Sequence, residues 1–331
     1  MSDVLDSYAF ELTLRIVCVL LVFLTVPLVV GQMEHKAMAH MQSRLGPMYA
    51  GGFHGWAQLV ADGVKFLQKE DVVPTNADKW VFKLAPAVSL LPPMFVLVVI
   101  PVGPDLVSQD LDIGLFYALA ISSISVLGML MAAWSSANKF SLLGGIRGAA
   151  QLIAYELPLV LCAASAVMLA GTMSLTGIVE AWEWWWLPVQ AVGLFIFFTA
   201  SVAELNRPPF DMPVADSEII FGHMTEYTGL RFALFLLTEY AGIVVAGGLI
   251  TAMFLGGWRG PFWDVVQIGE VYPLGILYTL LKVLAIAFVV IWLRVTYPRL
   301  REDQLQKFCW KALIPLSLVQ VVLTGFVTVV K

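Results

Sequence analysis

The chain has 331 residues, of which 60% are hydrophobic and 13% charged, with a net charge of −5 and a mean hydropathy of +0.85. Soluble domains carry roughly 25% charged residues, so the composition points to an integral membrane protein, and the acidic balance offers nothing to nucleic acid. Cys18, Cys162 and Cys309 are isolated and form no CxxC pair, which leaves iron–sulfur, zinc and disulfide readings without support.

The N-terminal MSDVLDSYAFELT has no basic region and no cleavage site, so the first apolar run is expected as a retained span. A span needs ~20 mostly apolar residues. Runs at 12–32, 84–104, 114–136, 152–171, 187–206, 231–255, 274–296 and 311–330 satisfy this, which predicts an all-α membrane domain of about eight transmembrane helices occupying 1–331. The second run carries Pro86, Pro92, Pro93 and Pro101 and is expected to be kinked or broken.

Basic residues set the orientation. Lys36, Arg44, Lys65, Lys69, Lys79, Lys83, Lys139, Arg147, Arg207, Arg231, Arg294, Arg299, Arg301, Lys307 and Lys311 fall in the loops after the odd-numbered spans. Arg259, Lys331 and Arg15 fall on the other side. Both termini are therefore expected outside, with the odd-numbered loops cytoplasmic.

The first cytoplasmic loop, about 33–83, contains an amphipathic stretch from Gly55 to Glu70. Trp56, Leu59, Val60, Val64 and Leu67 recur at helical spacing, with Gln58, Asp62, Lys65 and Lys69 opposite. Two readings stay open: an interfacial helix resting in lipid headgroups, or a helix closing one side of a cavity with Asp62 and Lys65 turned inward. The next cytoplasmic loop, Lys139 to Gln151, holds Gly144-Gly145-Ile146-Arg147-Gly148, which lacks the spacing of a phosphate loop and suits close backbone packing. Glu156 follows about one turn into the fourth span. Beyond it, Trp182, Trp184, Trp185 and Trp186 form an aromatic belt.

The densest chemistry lies between Ala203 and Tyr240. Glu204, Asp211, Asp216, Glu218, Glu226 and Glu239 crowd this segment, and Glu204 and Glu239 sit inside or at the ends of spans. A carboxylate at mid-membrane costs ~2.5–3.5 kcal/mol on insertion scales and marks an ion or proton route. Arg207-Pro208-Pro209-Phe210-Asp211-Met212-Pro213 cannot continue a helix. Irregular backbone there is tolerated only packed in protein or lining a wet cavity. Lys282, mid-span in the seventh run, must find a partner, and the basic tail Arg294–Lys311 suits a peripheral partner or anionic lipid.

His35, His40, His54 and His223 all lie in loops, so haem ligation by a histidine pair between spans is excluded, and no nucleotide fingerprint exists. The chain is expected to hold no metal, flavin or haem of its own. Closely placed carboxylates titrate as a coupled set, so their protonation responds to charge appearing nearby.

The pattern A-E-x-N-R-x-P-F-D-x-P-x-A-[ED]-S-E, followed by E-Y-x-G and a second E-Y, resembles the quinone-site membrane subunit of respiratory complex I, the proton-pumping NADH:quinone oxidoreductase. The first loop resembles that family too, through Glu34-His35-Lys36, Gln42-Ser43-Arg44-Leu45-Gly46-Pro47, Gln58, Ala61-Asp62, Lys65 and Lys69-Glu70. Val214 departs from the acid usual there, Asp216 from Glu, His35 from Arg, and Met48-Tyr49-Ala50 from Asn-Arg-Val. The resemblance implies a quinone (ubiquinone or menaquinone) as substrate, with Glu34, Arg44, Asp62, Lys65, Arg207, Phe210 and Asp211 near it. The passage is expected between the first and sixth spans, the 55–70 helix and the loops 33–83 and 204–230. It implies a proton path through Glu156, Glu204, Asp216, Glu218, Glu226 and Glu239. It also implies partner subunits carrying iron–sulfur centres at the cytoplasmic loops, small membrane subunits alongside, and a place in the bacterial plasma membrane. Related subunits of membrane-bound hydrogenases and other dehydrogenases are the alternative. A secondary transporter fits less well, because no internal repeat is visible and the acids sit to one side of the membrane.

The topology is open to cysteine-accessibility labelling, which is expected to reach positions 75 and 303 from the cytoplasm and 108 and 265 from outside. Mixed sidedness of 75 and 303 contradicts it.

Overall fold

The computed structural model describes residues 8–104, 106–261, 263–264, 267 and 272–330, with the side chains at positions 8, 9, 11 and 216 outside the description. Position 265 of the labelling scheme lies outside these residues. The described residues form helices and connecting turns.

Helix α1 (Tyr8–Met41) runs unbroken through Pro27. At 1.5 Å per residue it is about 50 Å long, well beyond the hydrocarbon thickness of ~30 Å. Its last turns, carrying Glu34, His35 and His40, are therefore helix rather than loop. A short 3₁₀ turn (Phe53–Gly55) precedes α2 (Gln58–Gln68). The amphipathic element is thus shorter than the Gly55–Glu70 expectation, and Trp56 stands before its start. Its apolar side chains Val60, Val64 and Leu67 face outward, exposed.

Among the described residues, seven helices are long and apolar enough to cross a membrane. The expected second span, 84–104, is instead α3 (Lys79–Val96), an 18-residue helix about 27 Å long. Pro92 and Pro93 withdraw two backbone donors, and the chain leaves the helix three residues later. α3 buries Phe82, Ala85, Ser89 and Val96 against α4 (Gly114–Ser135) and α9 (Gly229–Phe254).

The expected loop 139–151 is helical. α5 runs from Lys139 to Ala170, with the Asn138 side chain accepting from Phe140 N at 2.8 Å and Gly171 ending it at φ 72°. Close packing explains how a glycine-rich stretch stays in a helix here. A Cβ on Gly144 would lie 2.6 Å from the Pro213 carbonyl oxygen, and one on Gly145 2.2 Å from the Ala133 Cβ. The absent side chains let α5 press against α4 and the 213–223 segment. α5 stands among α4, α7 (Trp186–Glu204) and α12 (Ile314–Val330), whereas α9 stands among α1, α2, α3 and α10 (Pro273–Thr296).

The last span has an unexpected approach. α11 (Glu302–Phe308) and a π turn (Cys309–Leu313) lead directly into α12. Tyr155 OH donates to Leu305 O at 3.0 Å and Cys309 Sγ to Ala154 O at 3.0 Å, fastening this junction to α5.

On the opposite side, α6 (Leu175–Ala181) precedes the tryptophan cluster. Trp184 is exposed, but Trp182 and Trp186 are buried, and Trp182 Nε1 donates to Phe254 O. Half the expected belt therefore packs the bundle. Lys282 finds its partners here: Nζ donates to the carbonyls of Leu255, Gly257 and Arg259, each at 2.7 Å. A cation thus satisfies the acceptors left at the C-terminal end of α9. Lys282→Met strands those carbonyls and is expected to cost about 1.5–3 kcal/mol, read as a lower unfolding temperature of the purified assembly. An unchanged temperature contradicts the capping role.

Candidate functional site

The segment between α7 and α9 is held from below. Gln151 Nε2, on α5, donates to both Ala203 O and Phe210 O at 2.7 Å. The prolines at 208, 209 and 213 prevent helix formation, so these side-chain bonds take the place of a backbone ladder. Gly222 lies at φ 52°, where a Cβ would meet the Pro213 carbonyl oxygen at 1.7 Å, so no larger residue fits the turn. α8 (Asp216–Ile219) is a single turn on the outer side of this segment.

Folded this way, the segment delivers Arg207 into the protein with no solvent exposure. Arg207 Nη1 pairs with Glu34 of α1, itself buried, and Nε lies 2.8 Å from Glu239 Oε1 of α9. Arg294 of α10 pairs with the other Glu34 oxygen. The Tyr240 ring lies 5.0 Å from the Arg207 guanidinium carbon. Burial opposes the charge on Arg207, but the carboxylates of Glu239 and Glu34 outweigh it and hold the guanidinium charged. Two acids and two bases, Arg207 and Glu34 buried and Glu239 and Arg294 half-buried, thus form a cluster of cancelling formal charge that joins four segments, the arrangement in which buried charges are tolerated.

Bordering the cluster at Glu239 and Arg294 is a cavity of about 290 Å³. Glu204, Asp211, Glu239, Arg294 and His223, with Ser89, Ser122, Ser125 and Ser201, supply its polar lining. Phe197, Val96, Leu159 and Leu249 complete its apolar wall. This is a concave, mostly apolar site with a few convergent polar groups. Residues of α3, α4, α5, α7 and α9 line the cavity together with Arg294 of α10 and the loop after α7; of the elements expected around the passage, the sixth span and that loop contribute to it.

On the α1 side, Gln32 Nε2 donates to Gly55 O at 3.0 Å, and Thr228 Oγ1 accepts from Val72 N and donates to Glu70 O. Arg231 pairs with Asp71 at 2.8 Å. The first bond ties the turn before α2 to α1, and the others tie the segment after α2 to the start of α9. Asp62 accepts from Gln58 and from Lys65 Nζ at 3.0 Å. Burial works against its charge, but those bonds and the Lys65 charge hold it below the ordinary carboxylate value. The Lys65 side chain is 65% exposed.

The structure brings Glu34, Arg207 and Glu239 together, and places Asp211, Glu204 and Glu239 on one cavity. Val214, the departure from the acid usual in the resembled family, lines it as well. Phe210 is buried in the core, edge-on to Tyr155 at 5.6 Å. Arg44 is exposed and bonds Gln42 Oε1 at 2.9 Å. Glu156 is exposed on α5, and Glu226 accepts from Asn138 Nδ2 at 2.6 Å. Glu218 stands apart, exposed and paired with Arg147 and Arg299. The Arg147 bond leads in holding its carboxyl below the usual range. The Asp216 side chain lies outside the described residues.

Arg294 and His223 were missed as site residues. Arg294 read as part of a basic tail, and His223 as one of several loop histidines. His223 is buried on the cavity wall beside Phe235, and burial lowers its pKa to about 4, which keeps the ring neutral.

Breaking the cluster has a defined cost. Arg207→Met leaves Glu239 unpaired and Glu34 with Arg294 alone, and is expected to cost about 3–5 kcal/mol. The measurement is thermal stability and yield of the assembled complex; wild-type values for both contradict the cluster.

A family model described as NADH dehydrogenase matches residues 14–325. The H subunit of NADH-quinone oxidoreductase from Bacillus thuringiensis subsp. konkukian (strain 97-27) is 46% identical over 295 residues, covering 89% of this chain and 87% of that protein. Proteins of the same name from Bacillus thuringiensis (strain Al Hakam) and Bacillus cereus (strain B4264) are each 45% identical over the same shares. The chain therefore belongs to the NADH dehydrogenase family.

Proposed function

We propose that the chain is the H subunit of a membrane-bound, proton-translocating NADH:quinone oxidoreductase, where it forms part of the quinone chamber and transmits the charge of quinone reduction to a proton path. The observation that carries this reading is Arg207, whose guanidinium touches Glu34 on one side and Glu239, at the cavity, on the other.

On this reading the quinone enters between α1, α2 and α9, where Glu34, Arg44, Asp62 and Lys65 line the approach. Arg207, Phe210 and Asp211 shape its inner end, Phe210 by packing rather than by contact. Iron–sulfur subunits dock on the cytoplasmic loops and deliver the electrons. Ubiquinone or menaquinone supplies the redox chemistry. The chain's own groups position the headgroup, exclude water and carry protons. Charge appearing near Glu34 alters the balance on Arg207 and hence the hold on Glu239, whose proton occupancy then changes with that of its cavity neighbours. Glu204 and Glu156 continue the route toward the adjacent membrane subunits, with Glu226, Glu218 and Asp216 flanking its loop end. Both termini face outward from the bacterial plasma membrane, and the loops 33–83 and 204–230 face the cytoplasm.

Arg44→Ala and Asp62→Ala are expected to depress quinone reduction while NADH oxidation by an artificial acceptor continues. A parallel fall of both activities in an intact assembly places the quinone elsewhere. Glu204→Gln and Glu239→Gln keep size and remove the ionisable group, so proton translocation in vesicles is expected to drop in each. Wild-type coupled turnover and proton yield in both reduce these carboxylates to hydrogen-bonding groups.

A further inference from the structure

Glu204, the last residue of α7, borders two spaces. One is the 290 Å³ cavity, and the other is a pocket of about 20 Å³ between α4 and α5 that reaches Glu156. Six residues line both: Leu119, Ser122, Val126, Leu152, Leu159 and Glu204. Four are aliphatic, so Ser122 and Glu204 alone make this shared wall polar.

The small pocket has the volume of one water molecule, which needs about 10–15 Å³ and two to four polar partners to be held. Its lining includes Ser122, Ser123, Tyr155, Glu156 and Glu204. The Tyr155 hydroxyl is engaged with Leu305 O, and Ser123 Oγ donates to Ala120 O. Ser122 Oγ donates to Leu119 O at 3.0 Å, within its own helix, and also lies within hydrogen-bonding reach of the Glu204 carboxyl. Either way its lone pairs can accept, and the hydroxyl stands beside the acid it is to serve.

We propose that Ser122 is a positioning residue that holds a single water molecule between Glu204 and Glu156, so that a proton crosses the wall between the cavity and the exposed face of α5. The step balances without redox chemistry: the Glu204 carboxyl gives its proton to the water as the water gives one of its own to the Glu156 carboxylate. Ser122 accepts a hydrogen bond from that water and orients it. Glu156 is exposed on its helix, so the proton arrives where a neighbouring membrane subunit can take it.

The inference rests on the proton-path reading of Glu204, and the test separates the two. Ser122→Val, Ser122→Thr and Glu204→Gln are compared in vesicles containing the assembled complex. Coupled NADH:quinone turnover, proton yield and its solvent deuterium isotope effect are measured, with artificial-acceptor activity as the assembly control. Val and Thr match in volume, and only Thr keeps the hydroxyl. Ser122→Val is expected to slow coupled turnover about fivefold, equivalent to about 1 kcal/mol of barrier, and to enlarge the isotope effect, while Ser122→Thr stays near wild type. If Glu204→Gln impairs coupling and Ser122→Val does not, the Ser122 role is overturned and the path stands. Equal impairment by Val and Thr makes the position one of packing and overturns the role as well. A wild-type Glu204→Gln overturns the path and the inference together.

Discussion

A guanidinium removed from solvent has to be matched by carboxylates, and much of this structure follows from matching Arg207. Its partners come from α1 and α9, and Arg294 of α10 completes the balance. A buried ion pair contributes little net stability, because desolvation offsets the attraction, but removal of one member is costly. The cluster therefore acts as a constraint on geometry. The ends of α1 and α10 and the loop after α7 must meet wherever Arg207 is neutralised. Gln151 and the Gly222 turn hold the loop in the shape that takes Arg207 there.

The same constraint bears on function. Of the two acids touching Arg207, Glu34 is fully enclosed, whereas Glu239 opens on the cavity with Glu204 and Asp211. A cluster of cancelling formal charge with Glu239 and Arg294 on the cavity is balanced against added charge, since any change at the Glu34 end alters what Arg207 offers Glu239. Coupling of this kind requires no large movement of helices. It requires only that carboxylates at similar depth exchange protons when the field changes.

The all-helical membrane character was legible from composition, and the acid-rich loop from its prolines. Boundaries were less so, each for a physical reason. Hydropathy stops counting at the first charge, so α1 was expected to end near 32, although Glu34 is neutralised by two arginines and the helix runs on to Met41. Glycine suggested a loop at 144–148, because propensity ignores that Pro213 and Ala133 lie where side chains would be. The partner of Lys282 could not be read because carbonyl acceptors carry no sequence signature. Hydropathy set Glu204 and Glu239 apart from the loop acids, but it could not tell that Glu218 faces surface arginines while Glu204 and Glu239 face the cavity. Helical phase and loop geometry, not spacing alone, decide that division.

The central claim is that charge at the quinone end reaches the cavity through Arg207 and Glu239. Redox-induced infrared difference spectroscopy on the assembled complex reads this directly in the carboxylic C=O stretching region. The account predicts a protonation band that appears on quinone reduction, is lost in Glu239→Gln, and is altered in Arg207→Lys with quinone still reduced. A band unchanged in both variants would contradict it.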